Sequence, residues 1–305
     1  MSTPAIDLHD VAKSYGKTTA LEGLSLTVGR GELVGLLGPN GAGKTTTIKL
    51  LLGLVRPSAG SGQVLGAPLG DRRARAAIGY LPELFRYQPW LHAREVLALH
   101  AELARVPNGR RARAIDDALA LVGLVDRADD QVSAFSKGMQ QRLGLGVALL
   151  GDPDLVLLDE PTSALDPVGR TDVRAIVRAA RDRGATVILN SHLLTEVERV
   201  CDRVIILDHG RIIASGSLDE VVASDGVRLR VTELGDAGRA VAAAFGPVTL
   251  EGDWLSVRPL AADRVPDLVA ALVATGGRVH AVEPGRGSLE ARFLELLGES
   301  GSADS

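Results

Sequence analysis

The sequence predicts a mixed α/β fold: a parallel sheet flanked by helices and carrying a phosphate-binding loop, a helical insertion within it, and a small α+β domain after it. Three observations lead there. Short unbroken apolar runs alternate with helical stretches over the first two thirds of the chain, a glycine-rich loop follows one of those runs, and beyond residue 222 the pattern turns to strands of alternating polarity.

The strands are "ELVGLLG", "DLVLLDE", "ATVILNS" and "RVIILDHG". Between the first two, from Leu84 to Leu150, the periodicity is helical and no strand is evident, which makes this stretch an insertion. After "GSLDEVVASDG" come "VRLRVTE" as a half-buried strand, "DAGRAVAAAF" as a helix, and "VTLEGDWLSV" as a hairpin turning at Glu251, Gly252 and Asp253. A helix "ADRVPDLVAALVATG" and a strand "RVHAVEP" complete a β-α-β-β-α-β order, the ferredoxin-like arrangement, with "SLEARFLELLG" as a further helix. The expected domains are therefore 1–222 and 225–297, followed by a disordered tail over 298–305.

The 305 residues suffice for about two domains, and a 46% hydrophobic content supplies a core. A membrane-spanning helix needs about 20 apolar residues, and runs such as "LGLGVALLG" and "LVAALVATGG" fall well short. The start "MSTPAIDLHDV" has neither a basic segment nor an apolar one, so a soluble, cytoplasmic chain is expected. The single cysteine, Cys201, excludes an internal disulfide and an all-cysteine metal site, and between the apolar runs of "VERVCDRVIIL" it reads as a small buried hydrophobe. A net charge of −4 and a pI near 5.9 give no general attraction to nucleic acid or anionic lipid.

"GPNGAGKTT" places Gly38, Pro39, Asn40, Gly41, Ala42, Gly43, Lys44, Thr45 and Thr46 in the G-x-x-x-x-G-K-[ST] pattern, after a strand and before the helix "TTTIKLLLGL". The glycines let successive backbone N–H groups face one anion, and the helix N-terminus adds partial positive charge. Lys44 would reach the β- and γ-phosphates, and the Thr45 hydroxyl would bind Mg²⁺. In "LVLLDEP" two carboxylates end an apolar strand: Asp159 would hold Mg²⁺ through water, and Glu160 would orient and activate the attacking water. Adjacent acids at a strand end also occur in solvated turns; the phosphate loop is what points this pair to chemistry. His192 follows "ATVILN" at the same sheet edge, and that position alone distinguishes it from a structural histidine. Ser136 in "FSKGMQQR" reads as the N-cap of a helix whose exposed N-terminus could bind an anion.

Taken together, Tyr15, "GPNGAGKTT", "FSKGMQQR", "LVLLDEPTSALDP" and His192 in "NSHLL" resemble, in order and spacing, the nucleotide-binding domain of ATP-binding cassette (ABC) transporters over residues 5–220. The fold implied is a P-loop NTPase of the ABC cassette type, and the cofactors implied are ATP and Mg²⁺. The resemblance also implies roles. Tyr15 would stack on adenine, while Ser136, Lys137, Gly138, Met139 and Gln140 form the signature facing ATP on the opposite subunit. Ser163, Ala164, Leu165 and Asp166 would cross the dimer interface as the D-loop, and His192 would sense the γ-phosphate. Two features depart from the commonest pattern: the signature core is Phe135-Ser136-Lys137-Gly138-Met139, and Glu83 stands where Gln is usual. Glu83 brings a full negative charge beside the phosphates, which puts its contact with Mg²⁺ in question.

Both variants and the C-terminal domain resemble the exporter ATPases that serve ABC-2-type drug, antibiotic, lipid and polysaccharide permeases. The expectation is an ATPase that closes as a dimer on ATP and reopens on hydrolysis. Its partners would be a second ABC subunit, expected to be a copy of itself, and a separate transmembrane permease that holds it at the inner face of the membrane; no nucleic acid is expected. A soluble ABC ATPase acting on ribosomes or DNA tends to carry two cassettes or a coiled-coil insertion, and neither is found here. An importer ATPase is disfavoured only by analogy.

Tyr80, Phe85, Tyr87 and Trp90 crowd into "GYLPELFRYQPW" although only 3% of the residues are aromatic. Tyr80 ends a strand-like segment and is expected in the core. Phe85, Tyr87 and Trp90 lack helical periodicity, and at least two of these three rings are expected to be exposed to receive the permease.

Overall fold

The computed structural model describes residues 3–163, 165–222, 226–284 and 288–303. Its residues group into two compact units, Met1–Ser217 with Leu296–Ser305, and Leu218–Glu295, so the break falls a few residues ahead of the expected one at 222.

In the first unit a six-stranded sheet runs in the order Arg211–Ser217, Arg203–Asp208, Leu33–Leu37, Thr186–Asn190, Leu155–Asp159, Ile78–Leu81. All neighbours pair in parallel except Arg211–Ser217, which is antiparallel to Arg203–Asp208. The four apolar runs occupy its middle, and three of them, Leu33–Leu37, Leu155–Asp159 and Thr186–Asn190, are buried at every residue. Continuous burial is what a parallel strand covered on both faces requires. Asn190 is in register with both Leu36 and Asp159, so the loops leaving these three strands emerge at one edge.

A second, antiparallel sheet was not legible in the sequence: Thr18–Val28, Ile6–Tyr15, Ala59–Val64 and Ala67–Pro68, in that order. Register shifts interrupt the pairing of Ile6–Tyr15 on both sides and blur its alternation. Helix Lys44–Leu51 joins the two sheets, because Ile48, Leu50 and Leu51 share one core with Leu21 and Leu24 of the antiparallel sheet and Leu36, Leu155 and Leu157 of the parallel one.

The insertion is helical, as expected: Ala93–Leu103, Asn108–Leu121 and Lys137–Ala148, with 3₁₀ turns at Val125–Arg127 and Val132–Ala134. The aromatic cluster departs from expectation. Phe85 and Tyr87 are half-buried, and only Trp90, 66% accessible, is exposed, beside Leu84 at 87%. The cause is Gly144. A β-carbon there would lie 2.6 Å from Phe85 Cζ, so the missing side chain makes room for the ring on helix Lys137–Ala148. Tyr87 packs against Phe85 with centroids 5.4 Å apart and edge-on against His100 at 5.6 Å. Tyr80 is half-buried against the core, as expected.

The second unit has the predicted β-α-β-β-α-β order: Val227–Thr232, helix Asp236–Ala243, Val248–Glu251, Trp254–Val257, helix Val265–Ala274, Arg278–Pro284. The first strand pairs with both the third and the last, which gives the split ferredoxin-like sheet. Leu229, Val231, Leu255, Val257, Leu268 and Leu272 form its own core. Glu251 belongs to the strand rather than the turn. The tail expected to be disordered from 298 is instead helical to Ala303, as part of helix Leu289–Ala303.

Candidate active site

The phosphate loop leaves strand Leu33–Leu37 and returns as helix Lys44–Leu51. Gly38 and Gly43 adopt φ of +151° and +105°. A β-carbon on Gly38 would lie 2.3 Å from the Leu207 carbonyl oxygen, and one on Gly43 would lie 2.8 Å from that of Ala20. The loop is thus pressed between the end of Arg203–Asp208 and strand Thr18–Val28 and tolerates no side chain at either position. The Gly210 N–H donates to the Ala42 carbonyl (3.0 Å) and holds the loop from outside. The helix has Gly43 as its N-cap, with no side-chain cap and no acid in its first turn, so its leading N–H groups are left for an anion.

Lys44 folds back over the loop, its ammonium donating to the carbonyls of Gly38 (2.7 Å) and Pro39 (3.0 Å). Burial lowers its pKa, and the facing carboxylates of Glu160 and Asp159 work against that shift. This half-buried cation and the two acids are thus close enough for their charges to act on one another. Asn40, Gly41 and Thr45 are exposed, and Pro39 and Thr46 are half-buried.

Asp159 and Glu160 are both buried. Asn190 Nδ2 donates to Asp159 Oδ1 at 2.5 Å and fixes that carboxylate. Glu160 has a left-handed backbone, φ +53°, which costs a residue with a side chain on the order of 1–3 kcal/mol. Its N–H donates to the Asn190 carbonyl (2.9 Å), and its Oε1 accepts the His192 N–H (2.9 Å). Oε2 is buried and lies 2.7 Å from His192 Nδ1, an ion-pair contact without hydrogen-bond alignment. A buried carboxylate at a strained strand end, with a histidine beside its second oxygen, is suited to take a proton from water. The His192 ring is itself exposed.

Glu83 is exposed just past strand Ile78–Leu81. Burial raises the Tyr80 phenol pKa most, with the charges of Asp159 and then Glu83 adding to it. Tyr15 ends strand Ile6–Tyr15 as an exposed residue, 45% accessible, with Lys13 Nζ 4.9 Å from its ring centroid.

Ser136 caps helix Lys137–Ala148 through Met139 N–H (3.2 Å), as the sequence suggested. Gln140 turns back to the Phe135 carbonyl (3.2 Å), while Lys137 is exposed and Gly138 and Met139 are half-buried. The Ser163 hydroxyl donates to the Glu160 carbonyl (3.2 Å), Leu165 is buried, and Asp166 caps helix Pro167–Asp182 through Gly169 N–H (2.8 Å). Ala164 lies outside the described residues. A cavity of about 370 Å³ brings Ser136, Gly138 and Arg142 together with Leu165, Asp166 and Gly169, so the starts of these two helices share one concave surface.

Two residues escaped the sequence reading. Asn190 holds Asp159, and the sign of it was a polar residue closing the apolar run "ATVIL". Thr162 is buried with its hydroxyl unpartnered two residues past Glu160, and nothing in "DEPTS" marks it.

Comparison with known proteins bears on what this geometry serves. Residues 21–163 match the ABC transporter family model. An ABC transporter ATP-binding protein of Nostoc sp. (strain PCC 7120) is 42% identical over 306 residues, covering 97% of this chain and 91% of that protein. The Nod factor export ATP-binding protein I of Rhizobium sp. (strain N33) is 42% identical over 219 residues, 71% of this chain and 72% of that protein. Among solved structures, an ATP-binding subunit of an ABC transporter superposes with a TM-score of 0.65 at 33% identity, over 72% of this chain and 92% of the other. With a phosphate loop and two strand-end acids, and 42% identity to an ABC transporter ATP-binding protein over 97% of its length, the chain belongs to the ATP-binding ATPase subunits of ABC transporters.

Proposed function

We propose that this ATPase drives export through a separate transmembrane permease, with Glu160 as the general base of hydrolysis. The observation that carries the chemistry is the buried Glu160 carboxylate at a strand end, with Oε1 on the His192 N–H and Oε2 2.7 Å from His192 Nδ1. Lys44 and the loop N–H groups hold and neutralise the phosphates. Glu160 Oε2 accepts the proton of the attacking water while Oε1 stays on the His192 N–H, and the His192 ring lies within reach of the γ-phosphate. The donors fit Mg²⁺: Asp159, fixed by Asn190, and the exposed Thr45 hydroxyl are hard oxygen ligands. That ion takes one or two carboxylates plus phosphate oxygens and water rather than an all-protein cage. Among the described residues no cluster of three His, Cys, Asp or Glu side chains offers such a cage. When bound, Mg²⁺ would neutralise charge on the transferred phosphoryl group. Glu83 is assigned to the rim of this site and Tyr15 to the adenine.

ATP-binding subunits of this family dimerise and work with permeases. For this chain the proposed dimer is of two copies, each presenting Ser136, Gly138 and the D-loop to the nucleotide of the other; the shared cavity of the two helix starts supports this. Export is supported by the Nod factor export relative and by the signature variant. Exposed Leu84 and Trp90, next to Glu83, are the proposed permease contact. Among its described residues the second unit carries no catalytic constellation, and it is assigned to stabilising the dimer or modulating hydrolysis. No helix among the described residues is long and apolar enough to cross a membrane.

The test is recovery of partners on the tagged full chain from detergent-solubilised membranes of its own cells. A multi-span membrane protein should co-purify, and Leu84→Ala with Trp90→Ala should lose it while ATP binding stays at the parent level. Recovery of ribosomes or nucleic acid without a membrane protein would overturn the transport reading. ATP-driven uptake into inverted vesicles is the expected direction, and uptake only into right-side-out vesicles would replace export by import.

A further inference from the structure

Helix Pro167–Asp182 carries Arg174, Arg178 and Arg181 at spacings of four and three, one stripe of its surface. All three reach the segment that follows His192. Arg174 Nη1 donates to both carboxylate oxygens of Glu196 (3.1 and 3.0 Å) while its Nη2 donates to Thr171 Oγ1 (2.7 Å). Arg178 donates to the Arg199 carbonyl, and Arg181 Nη1 donates to Asp202 Oδ1 (2.9 Å). Asp202 Oδ2 accepts the N–H of Leu33, the first residue of the phosphate-loop strand (3.2 Å).

The first of these pairs differs in kind from the others. The side chains of Arg174 and Glu196 are 16% and 7% accessible, against 31% and 49% for Arg181 and Asp202. An exposed pair contributes little, whereas a buried one carries a desolvation cost that an apolar pair of equal volume avoids. The same helix already packs through Val173, Ile176, Val177 and Ala180, so adhesion alone does not call for buried charge. What the charges add is direction, since a guanidinium with Nη1 on the carboxylate and Nη2 on a threonine is fixed in plane and holds one register only. That register matters at both ends. Arg174 lies eight residues past Asp166, the D-loop cap of its helix, and Glu196 lies four residues past His192, whose N–H holds Glu160 Oε1.

We propose that Arg174 and Glu196 are positioning residues for hydrolysis: their bridge locks the D-loop helix to the His192 segment and thereby sets the Glu160 carboxylate. The proposal rests on Glu160 being the base, and its test separates the two.

The experiment compares the full chain with Glu196→Gln, Arg174→Lys and the charge-free pair Arg174→Met with Glu196→Leu. The last keeps volume and should fold even if the single changes do not. Steady-state hydrolysis, binding of a fluorescent ATP analogue and thermal melting are followed together. Misplacing a base by about 1 Å costs about 10²-fold. Glu196→Gln and the charge-free pair should therefore lose about 10- to 100-fold in kcat, with KM and analogue affinity within about twofold of the parent. Arg174→Lys, which keeps the charge without the fork, should recover part of that loss. In a Glu160→Gln background the charge-free pair should lower the residual rate no further, because both changes then act on one group. In the nucleotide-free chain, amide exchange over 190–196 should rise in the charge-free pair while 33–52 stays unchanged. Parent kcat in the folded charge-free pair overturns the proposal. So does a fall in kcat matched in every variant by equal losses of affinity and melting temperature, or an effect that multiplies with Glu160→Gln. Should Glu160→Gln turn over at the parent rate, the base assignment fails by itself, and amide exchange then decides the clamp: raised exchange supports it, and unchanged exchange overturns it.

Discussion

Replacing Gly38 by alanine puts the geometry of the phosphate loop to a quantitative test. The new β-carbon would lie 2.3 Å from the Leu207 carbonyl oxygen and 2.9 Å from Ala42 Cβ. Ordinary contact distances are about 1 Å longer than the first of these, and because the obstacle is backbone, no rotamer change relieves it. The loop must move by about that much or leave its φ of +151°, a conformation that costs a non-glycine residue about 1–3 kcal/mol. Adding overpacking of about 1–3 kcal/mol, the folded chain should lose on the order of 2–6 kcal/mol in urea unfolding. Displacing the converging N–H groups by about 1 Å should also weaken ATP binding by tenfold or more. Gly41→Ala is the control. Its φ is +86° but nothing lies within 4 Å of an added β-carbon, so only the conformational cost of about 1–2 kcal/mol applies to stability. Equal stability of Gly38→Ala and Gly41→Ala in urea would refute the reasoning, because it would mean that the strand end at Leu207 does not press on the loop.

Other consequences follow from burial. Phe85→Ala with Tyr87→Ala should destabilise the first unit by about 3 kcal/mol or more in denaturant unfolding, since both rings pack on the insertion, whereas Trp90→Ala should stay within about 0.5 kcal/mol; parent stability of the double variant would return these rings to the surface. Burial pushes the Cys201 thiol pKa up, so alkylation by iodoacetamide at pH 8 should proceed only through opening of the fold and accelerate in urea. Prompt labelling of the native chain would contradict that placement. Burial lowers the His100 pKa, so its folded value lies below its unfolded one and stability is lost as pH falls from about 6.5. His100→Gln should flatten the acid side of a melting-temperature profile, and an unchanged profile would count against it.

The central strands and the phosphate loop were legible because their signals are local. Four apolar runs of five or six residues can be buried on both faces only in a parallel sheet, and glycine spacing reports backbone shape directly. The ferredoxin-like order was legible for the same reason, since alternation and turns lie along the chain. The antiparallel sheet was not, because register shifts in Ile6–Tyr15 break the alternation that would announce it. The fate of Phe85 was decided 59 positions away by Gly144, and no window of sequence contains both residues. At the site, the candidate residues could be named from motifs, but their support could not. The hold of Asn190 on Asp159, the left-handed turn of Glu160 and the Arg174 to Glu196 bridge exist only once the strand ends and helices are side by side.

Glu160→Gln tests the central claim most directly. The amide keeps an oxygen for the His192 N–H but removes the carboxylate oxygen that would accept the proton of water. Measured on the full chain, ATP binding should remain at the parent level, hydrolysis should fall by about 10² to 10⁴, and ATP should convert the chain to a dimer holding two unhydrolysed nucleotides. Turnover near the parent rate, or a chain that stays monomeric with ATP bound, would contradict the account.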